Sequence, residues 1–258
     1  YAQLYPGNCT LLVDTYDVLK AGIPNAIRIF DKYRPRGKGI RIDSGDITYL
    51  TKNARKMLDE AGHADCKIVV SNSLDEYLIR DMLLQGACID SFGVGERMIT
   101  AKAEPVFGGV YKLVASEEEG VVVPKIKVSE NVEKITNPGY KKVYRLYDKD
   151  TKQAFADVIA LADEIPPSGE DYPIVDPYST KKYKKLNNFE ARELLVPIFR
   201  KGQPVYTSPD VKEIRSYCLQ NIADLWEEIL RFENPHRYYV DLSVPLWDLK
   251  TRLLEAYA

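Results

Sequence analysis

The sequence predicts an α/β fold, with parallel strands and crossover helices in its first part and antiparallel strands in its second part. Three observations support this prediction. Short apolar segments alternate with amphipathic helical segments up to about Gly95, and no tight hairpin turn joins consecutive apolar segments. Each of these apolar segments ends in polar or glycine residues. From about Ser116 the pattern changes to strands separated by charged turns.

The composition is that of an ordinary globular chain. It has 258 residues, 45% apolar and 29% charged, with a formal net charge of -2. This length suffices for a substantial core. The weak net charge argues against nucleic acid or a membrane surface as a partner, and no apolar run reaches the length of a membrane-spanning helix. The four cysteines are scattered, so we expect reduced thiols in a cytoplasmic protein and no structural zinc site.

The first part of the chain is predicted to contain four parallel strands and three intervening helices. The strands are Thr10–Asp14, Gly39–Asp43, Lys67–Ser71 and Ile89–Gly93. The helices are 17–33 with a break at Gly22-Ile-Pro24, 46–61 with Asp46 as a cap, and one that begins at Ser73 with Glu76 completing a capping box.

The second part is predicted to begin after residue 116, so that residues 1–116 and 117–258 form separate domains. A further strand of the first part is predicted at 110–115, and the strands of the second part are predicted at 121–128, 141–147 and 154–161. Residues 165–188 are expected to form an extended loop. A long helix is predicted to start at Ser208, its amino-terminal cap, and a strand at 238–242 precedes a final helix at 246–256.

The polar ends of the four parallel strands are the predicted ligand site, because ligands of α/β folds bind where strands end at their carboxyl side. The arginine within the second strand, Arg41, projects on the same side as Asp43, since side chains alternate along a strand. The candidate site residues at the strand ends are Asp14, Thr15, Asp43, Ser44, Gly45, Ser71, Asn72, Gly93 and Gly95.

Six segments carry a resemblance to a known family. They are Leu11-Leu-Val-Asp-Thr-Tyr-Asp, Ile40-Arg-Ile-Asp-Ser-Gly-Asp, Val69-Val-Ser-Asn-Ser-Leu-Asp-Glu, Ser91-Phe-Gly-Val-Gly, Pro105-Val-Phe-Gly-Gly-Val-Tyr-Lys-Leu and Asn234-Pro-His-Arg-Tyr-Tyr-Val-Asp-Leu-Ser. In this order and spacing they resemble nicotinate phosphoribosyltransferases, which are type II phosphoribosyltransferases. The resemblance implies part of an irregular α/β barrel followed by a mixed α/β carboxyl-terminal domain.

The resemblance also implies an activity in NAD biosynthesis. Nicotinate and phosphoribosyl pyrophosphate would form nicotinate mononucleotide and pyrophosphate, with Mg²⁺ as cofactor, ATP as co-substrate and a homodimer as the usual assembly. ATP hydrolysis would be coupled through a phosphorylated histidine.

Arg41 and Asp43 are the residues expected to act on the substrates. Arg41 offers a bidentate fork for the nicotinate carboxylate or a plane that stacks on its ring. Asp43 is expected near the ribose or the metal-bound pyrophosphate, where a carboxylate stabilises an oxocarbenium-like transition state. The alternative for Arg41 is a structural ion pair with Asp43 or Asp46. The alternative for Asp43 is a helix-capping or salt-bridged carboxylate.

The other strand ends are expected to line the same cavity. Ser44 and Gly45 supply a hydroxyl and a close backbone approach, as do Ser71 and Asn72. Asp14 and Thr15 end the first strand, and Asp14 is a candidate metal or ribose ligand.

The segment Gly93-Val-Gly95 resembles the phosphate loop of the family, whose backbone amides hold a phosphate. Many members of the family have threonine where this chain has Glu96. An acidic side chain does not replace that phosphate contact, so Arg97 or backbone amides are expected to take it over.

No phosphohistidine is expected in this chain. His63 follows a helix stop and His236 lies in a turn, and neither matches the family's histidine. We expect that residue to precede Tyr1 in a longer protein, and the 258-residue chain alone to lack ATP-coupled turnover.

Two alternatives remain open at this point. One is a related type II transferase that uses nicotinamide or quinolinate, although the second carboxylate of quinolinate calls for further cations near Arg41. The other is a noncatalytic nucleotide-binding fragment.

Overall fold

The structure is a computed structural model that describes residues 1–106, 108–167, 170–178 and 183–257. The chain divides into two compact units, Tyr1–Gly109 and Val110–Ala258. The sequence analysis placed the boundary after residue 116. Within the described ranges, no helix has both the length and the apolar character needed to cross a membrane.

The first unit contains a sheet of four strands that are all parallel, in the order β1-β2-β3-β4. The strands are β1 (Cys9–Leu12), β2 (Lys38–Ile42), β3 (Lys67–Val70) and β4 (Ser91–Phe92). The helices are α1 (Ile23–Tyr33), α2 (Ile47–Glu60), α3 (Glu76–Leu84) and α4 (Glu96–Ile99). The predicted alternation of strands and helices is therefore present, with each crossover in the predicted place.

The core of the first unit explains why these strands form. Ile40, Ile42, Ile68 and Val70 are fully buried in β2 and β3. β-Branched side chains favour the pleated backbone, and burial of each contributes about 1.5–3 kcal/mol. Helices α1 and α2 cover the sheet with their apolar faces, which bring Phe30 into the same core.

Two features of the first-unit helices differ from the sequence expectations. Helix α3 begins at an Asp75 cap, whose carboxylate accepts the amide of Leu78 at 2.9 Å, and does not begin at Ser73. A π-helical turn, Val18–Gly22, precedes α1, so Pro24 lies at the start of the helix where its missing N–H costs nothing. The expected Asp46 cap of α2 is present and accepts the amide of Tyr49 at 3.0 Å.

The second unit is built on a six-stranded mixed sheet in the order β10-β9-β14-β8-β7-β11. Strands β14 and β8 are parallel and the other neighbours are antiparallel. The strands of this sheet are β7 (Lys141–Asp148), β8 (Ala154–Leu161), β9 (Tyr172–Val175), β10 (Tyr183–Leu186), β11 (Phe189–Glu193) and β14 (Tyr239–Ser243). Two hairpins, β5 (Ala115–Glu118) with β6 (Val121–Pro124) and β12 (Phe199–Arg200) with β13 (Gln203–Pro204), and two helices, α5 (Val211–Ala223) and α6 (Val244–Glu255), complete the unit.

The six-stranded sheet is curled. Tyr172 of β9 and Phe189 of β11 have ring centroids 6.0 Å apart, although three strands separate β9 from β11 in the sheet. Both rings belong to a buried apolar cluster that includes Leu146 and Val158. The concave face of the sheet therefore encloses its own core.

Three sequence expectations for the second unit were wrong. Residues 110–114 form no strand, and β5 begins at Ala115. Residues 165–188 contain β9 and β10 where an extended loop was expected. The tyrosine and proline content of this span does not indicate strands. Residues 168, 169 and 179–182 of the span lie outside the described part. Helix α5 is capped by Asp210 in a capping box with Glu213, not by Ser208.

Candidate active site

The four parallel strands of the first unit deliver their carboxyl ends to one edge of the sheet. Hydrogen bonds continue past the strands themselves, from the amide of Val13 to the carbonyl of Arg41 at 3.1 Å, and from the amide of Ser71 to the carbonyl of Ile42 at 3.2 Å. The amide of Gly93 donates to the carbonyl of Val70 at 2.7 Å. The predicted strand-end residues of β1 to β4 are therefore neighbours in the structure.

Arg41, Asp43 and Ser71 form a closed hydrogen-bonded triangle. Nε of Arg41 donates to Oγ of Ser71 at 2.9 Å, and Nη2 of Arg41 donates to Oδ1 of Asp43 at 3.1 Å. The Ser71 hydroxyl donates to the same Asp43 oxygen. Ser71 is buried, whereas the side chains of Arg41 and Asp43 are 49% and 45% exposed. A buried hydroxyl thus fixes two accessible charged groups.

The triangle is compatible with both expectations for Arg41 and Asp43, substrate binding and structural pairing. Arg41 does pair with Asp43, and Asp46 is occupied as the cap of α2. The pair is nevertheless half open to solvent, and Nη1 of Arg41 has no hydrogen-bond partner among the described residues. One edge of the guanidinium can therefore still bind a planar carboxylate in the bidentate manner. Structural pairing and substrate binding are compatible in this geometry.

Asp43 is held in its ionised form. The hydrogen bond from Ser71 lowers the pKa of the Asp43 carboxyl group from its ordinary value, and the hydrogen bond and charge of Arg41 lower it further. A carboxylate that stays charged and exposed next to a bound substrate can stabilise developing positive charge.

Asp14 holds the turn that follows β2. Its Oδ2 accepts the backbone amide of Asp43 at 2.8 Å and the hydroxyl of Ser44 at 2.7 Å. The carboxylate at the end of one strand therefore fixes the backbone from which Asp43 projects. Sequence reasoning placed Asp14 in the site but assigned it to a metal or ribose, and the structure adds this role inside the protein.

The backbone at this edge includes residues in unusual conformations. Gly45 has φ +88°, which favours glycine, and a Cβ there would lie 3.0 Å from Cδ1 of Leu50. Asn72 and Ser73, which directly follow β3, have φ values of +98° and +47°. Positive φ in two adjacent non-glycine residues costs free energy and is characteristic of functional sites. No sequence pattern indicated this strain.

The glycines of the segment Gly93-Val-Gly95 have different environments. A Cβ at Gly93 would lie 3.2 Å from Cβ of Ser71, so glycine there permits the close approach of two strand ends. A Cβ at Gly95 would meet nothing within 4 Å. Packing within this part of the chain therefore requires a small residue at Gly93 but not at Gly95.

Arg97 is committed to an ion pair. Its Nη1 donates to Oδ2 of Asp75, the cap of α3. Arg97 and Asp75 are largely shielded, with side-chain exposures of 30% and 16%. The structure places Glu96 at the first position of α4 with no cap from the preceding glycine. The assignment of Glu96 and Arg97 to phosphate binding stays a prediction. The amide of Gly93 is also engaged, since it donates to the carbonyl of Val70.

Thr15 does not join this network among the described residues. It lines a cavity of about 320 Å³ beside β1 and α1, together with Tyr16 and Asn25. The expected contribution of Thr15 to the substrate site therefore stays a prediction.

The two histidines belong to different units of the chain. His63 is buried just before the start of β3, with Nε2 3.1 Å from Asp31 and Nδ1 3.3 Å from Nζ of Lys38 at the start of β2. These positions are at the opposite end of the parallel strands. His236 belongs to the second unit, where its ring contacts Trp226 and Tyr239.

The donors at the strand ends suit a metal ion that a substrate carries. Among the described residues no group of three or more His, Cys, Asp and Glu side chains converges on one point. Mg²⁺ commonly binds through one or two carboxylates together with substrate phosphates and water. Asp14 and Asp43 supply carboxylates of that kind, so the donor set fits Mg²⁺ in this form and not a closed protein cage.

Comparison with known proteins gives consistent sequence matches. Residues 140–250 match the family described as nicotinate phosphoribosyltransferase C-terminal domain. The chain is 46% identical over 252 residues to nicotinate phosphoribosyltransferase of Bacillus subtilis (strain 168), which covers 97% of this chain and 51% of that protein. It is 34% identical over 265 residues to the Dictyostelium discoideum nicotinate phosphoribosyltransferase, and this match covers 96% of this chain and 44% of that protein. The chain spans about half the length of the curated relatives it matches.

Solved structures show the same fold. A crystal structure of human nicotinic acid phosphoribosyltransferase superimposes with a TM-score of 0.72 at 27% identity, covering 98% of this chain and 48% of that one. A nicotinate-nucleotide pyrophosphorylase from Pyrococcus furiosus shares the fold with a TM-score of 0.51 at 24% identity, over 84% of this chain and 47% of that one. The predicted fold class, part of an α/β barrel followed by a mixed α/β domain, is confirmed.

Proposed function

Because this chain resembles nicotinate phosphoribosyltransferases over nearly all of its residues, we propose that it provides the nicotinate- and ribose-binding part of such an enzyme. The reaction joins nicotinate to phosphoribosyl pyrophosphate and yields nicotinate mononucleotide and pyrophosphate. It contributes to NAD biosynthesis in the cytoplasm, with ATP hydrolysis coupled to it and a homodimer as the assembly. The observation that carries the proposal is the half-exposed pair Arg41–Asp43, fixed by buried Ser71 where parallel strands end.

Arg41 orients the base in this proposal. The edge of its guanidinium that faces away from Asp43 binds the nicotinate carboxylate, and the fixed position of Nε and Nη2 keeps that edge in one orientation. Two parallel N–H···O bonds then define the plane of the ring. This geometry favours an anionic base over the uncharged nicotinamide.

Asp43 acts on the ribose side. As the bond to pyrophosphate lengthens, positive charge develops on the ribose, and the ionised carboxylate stabilises it. The lowered pKa of Asp43 keeps the charge in place throughout the neutral range. The backbone amides of Val94 and Gly95 hold the 5′-phosphate, since the amide of Gly93 already donates to the carbonyl of Val70. Asp14 keeps the Asp43 turn in position.

Asp14 and Asp43 would hold Mg²⁺ together with the pyrophosphate of the substrate. The ion, when bound, neutralises charge on the departing pyrophosphate.

Binding measurements on the purified chain test this proposal. In calorimetry, nicotinate and nicotinate mononucleotide are expected to bind, with nicotinamide and quinolinate weaker. Arg41→Gln is expected to weaken nicotinate about tenfold or more, as the loss of a charge-assisted bidentate contact implies. Arg36→Gln, in the exposed loop before β2, is the matched control. Equal binding of the three bases, or an unchanged nicotinate affinity in Arg41→Gln, would contradict the proposal.

A second candidate, a nucleotide-binding chain without turnover, has its own supporting observation. His63 lies at the opposite end of the parallel strands from Arg41 and Asp43, and His236 belongs to the second unit. We therefore expect nicotinate mononucleotide to bind to the isolated chain without ATP-coupled synthesis. Robust ATP-stimulated formation of nicotinate mononucleotide by the 258-residue chain would refute this second candidate.

A further inference from the structure

The second unit contains a cavity that the proposed reaction does not use. It has a volume of about 460 Å³ and lies at one mouth of the curled six-stranded sheet, beside the β7–β8 turn. Its walls are mainly apolar and aromatic; they are formed by Phe155, Ala156, Ile174, Leu186, Trp226 and Tyr239. Cavities of this size and lining, in the mouth of a curled sheet, are typical of small-molecule sites.

The polar groups of the cavity favour one sign of charge. Its lining residues include two carboxylates, Asp148 and Asp241, and a single ammonium group, Lys184. Asp241 is almost completely buried, with 2% of its side chain exposed. An uncompensated buried carboxylate is costly, so a positive charge beside Asp241 is strongly favoured.

Lys184 already occupies the position that a ligand cation would take. Its Nζ lies 3.1 Å from Oδ2 of Asp241 and 3.7 Å from the centroid of the Tyr239 ring. A cation over an aromatic face and next to a carboxylate is the arrangement that recognises organic ammonium ligands. The side chain of Lys184 is 35% exposed and belongs to edge strand β10, so its head group has access to solvent.

From this cavity we propose that the second unit binds a small planar aromatic cation, which displaces the head group of Lys184 from Tyr239 and Asp241. The ring of the ligand packs between Trp226, Phe155 and the apolar floor, and its charge compensates Asp241. The site is formed by residues of the second unit alone and does not depend on the reaction proposed for the first unit. An anionic ligand is disfavoured, because Asp148 and Asp241 outnumber Lys184.

A matched set of probes tests the charge preference in the unmodified chain. N-methylisoquinolinium, isoquinoline at a pH where it is neutral, and an isoquinoline carboxylate share one ring system and differ in charge. We expect the cation to bind about tenfold more tightly than the neutral ring, in line with a partly desolvated cation–π contact, and the anion to bind least. Quenching of Trp226 fluorescence, lost in Trp226→Phe, locates the probe.

Two lysine variants test the displacement of Lys184. Lys184→Met removes the competing ammonium group, so N-methylisoquinolinium is expected to bind several-fold more tightly. Lys185→Met is the control, because this neighbour is 75% exposed and pairs with Asp171. Asp241→Asn is expected to reduce the affinity for the cation to that for isoquinoline, with near-ultraviolet circular dichroism checking the fold.

Three results would overturn the proposal. They are equal affinity for the charged and uncharged rings, tighter binding of the carboxylate, and equal effects of Lys184→Met and Lys185→Met. The first two are measured on the unmodified chain and do not depend on the folding of any variant.

Discussion

The hydroxyl of Ser71 accepts a hydrogen bond from Nε of Arg41 at 2.9 Å, although the two residues are 30 positions apart in the sequence. Ser71 is buried at the end of β3, and Arg41 projects half exposed from β2. The buried partner removes rotational freedom from the guanidinium before any substrate arrives. This pre-organisation is what a base-binding arginine requires.

Replacing Ser71 by alanine is expected to weaken substrate binding more than it weakens the fold. The change frees both Arg41 and Asp43, so we expect the affinity for nicotinate to fall about five- to twentyfold, consistent with the loss of one or two hydrogen bonds to charged groups. Calorimetry measures the affinity, and Ser91→Ala, an exposed serine on β4, is the control. Identical nicotinate affinities in the two variants would show that Ser71 has only a structural role.

The charge of Asp43 gives a pH-dependent prediction. Its folded-state pKa is lowered, first by Ser71 and then by Arg41, so the group stabilises the fold at pH values above the unfolded pKa of about 3.9. That contribution disappears as the pH falls through the lower folded-state pKa. We expect a carboxyl resonance of Asp43 to titrate below the ordinary range by NMR and to move toward it in Ser71→Ala. An unchanged titration in Ser71→Ala would contradict the assignment of the cause.

Two glycines are expected to respond differently to alanine. Gly45→Ala places a side chain at φ +88° and 3.0 Å from Leu50, so a loss of about 1–2 kcal/mol in the free energy of unfolding is expected. A Cβ in Gly95→Ala meets no atom within 4 Å, so no loss of stability from side-chain crowding is expected.

The Gly95 variant also tests the phosphate loop. If the backbone amides of Val94 and Gly95 hold the 5′-phosphate, a methyl group at residue 95 crowds the ligand and weakens the binding of nicotinate mononucleotide, whereas the binding of free nicotinate is unaffected. Urea denaturation and calorimetry give the two readouts. Equal effects on the mononucleotide and on nicotinate would place the phosphate elsewhere.

A pH dependence of stability in the alkaline range is expected from Lys141 of the second unit. Burial lowers the pKa of Lys141 to about 8, and its Nζ donates to the carbonyl of Gly139 at 2.5 Å. The unfolded chain, with a lysine pKa of about 10.4, then binds more protons between these values. Stability should therefore rise with pH from about 8 to 10, relative to Lys141→Met. Denaturation across this range measures the difference, and parallel pH profiles of the two proteins would exclude the effect.

Much of the first unit was predictable from local sequence. Alternating apolar residues such as Ile40 and Ile42 on either side of Arg41 predict a strand, and Asp46 after Ser44-Gly45 predicts a helix cap. Both signals act between residues that are close in the chain. The second unit was predicted less well. Strands β9 and β10 are stabilised by pairing with each other and by the pairing of β9 with β14. Asp210 caps α5 in place of Ser208 because it forms reciprocal hydrogen bonds with Glu213.

The sequence by itself determined which chemical groups stand at the strand ends: an arginine, carboxylates, hydroxyls and glycines, in an order that resembles one family. Only the tertiary structure decided how they are used. In the tertiary structure Ser71 is hydrogen-bonded to Arg41 and Asp43, and Asp14 accepts the backbone amide of Asp43. Arg97 is paired with Asp75. The tertiary structure also brings Lys184 to Asp241 across 57 positions. Such pairs depend on strand register and side-chain direction between distant segments, which local spacing does not encode.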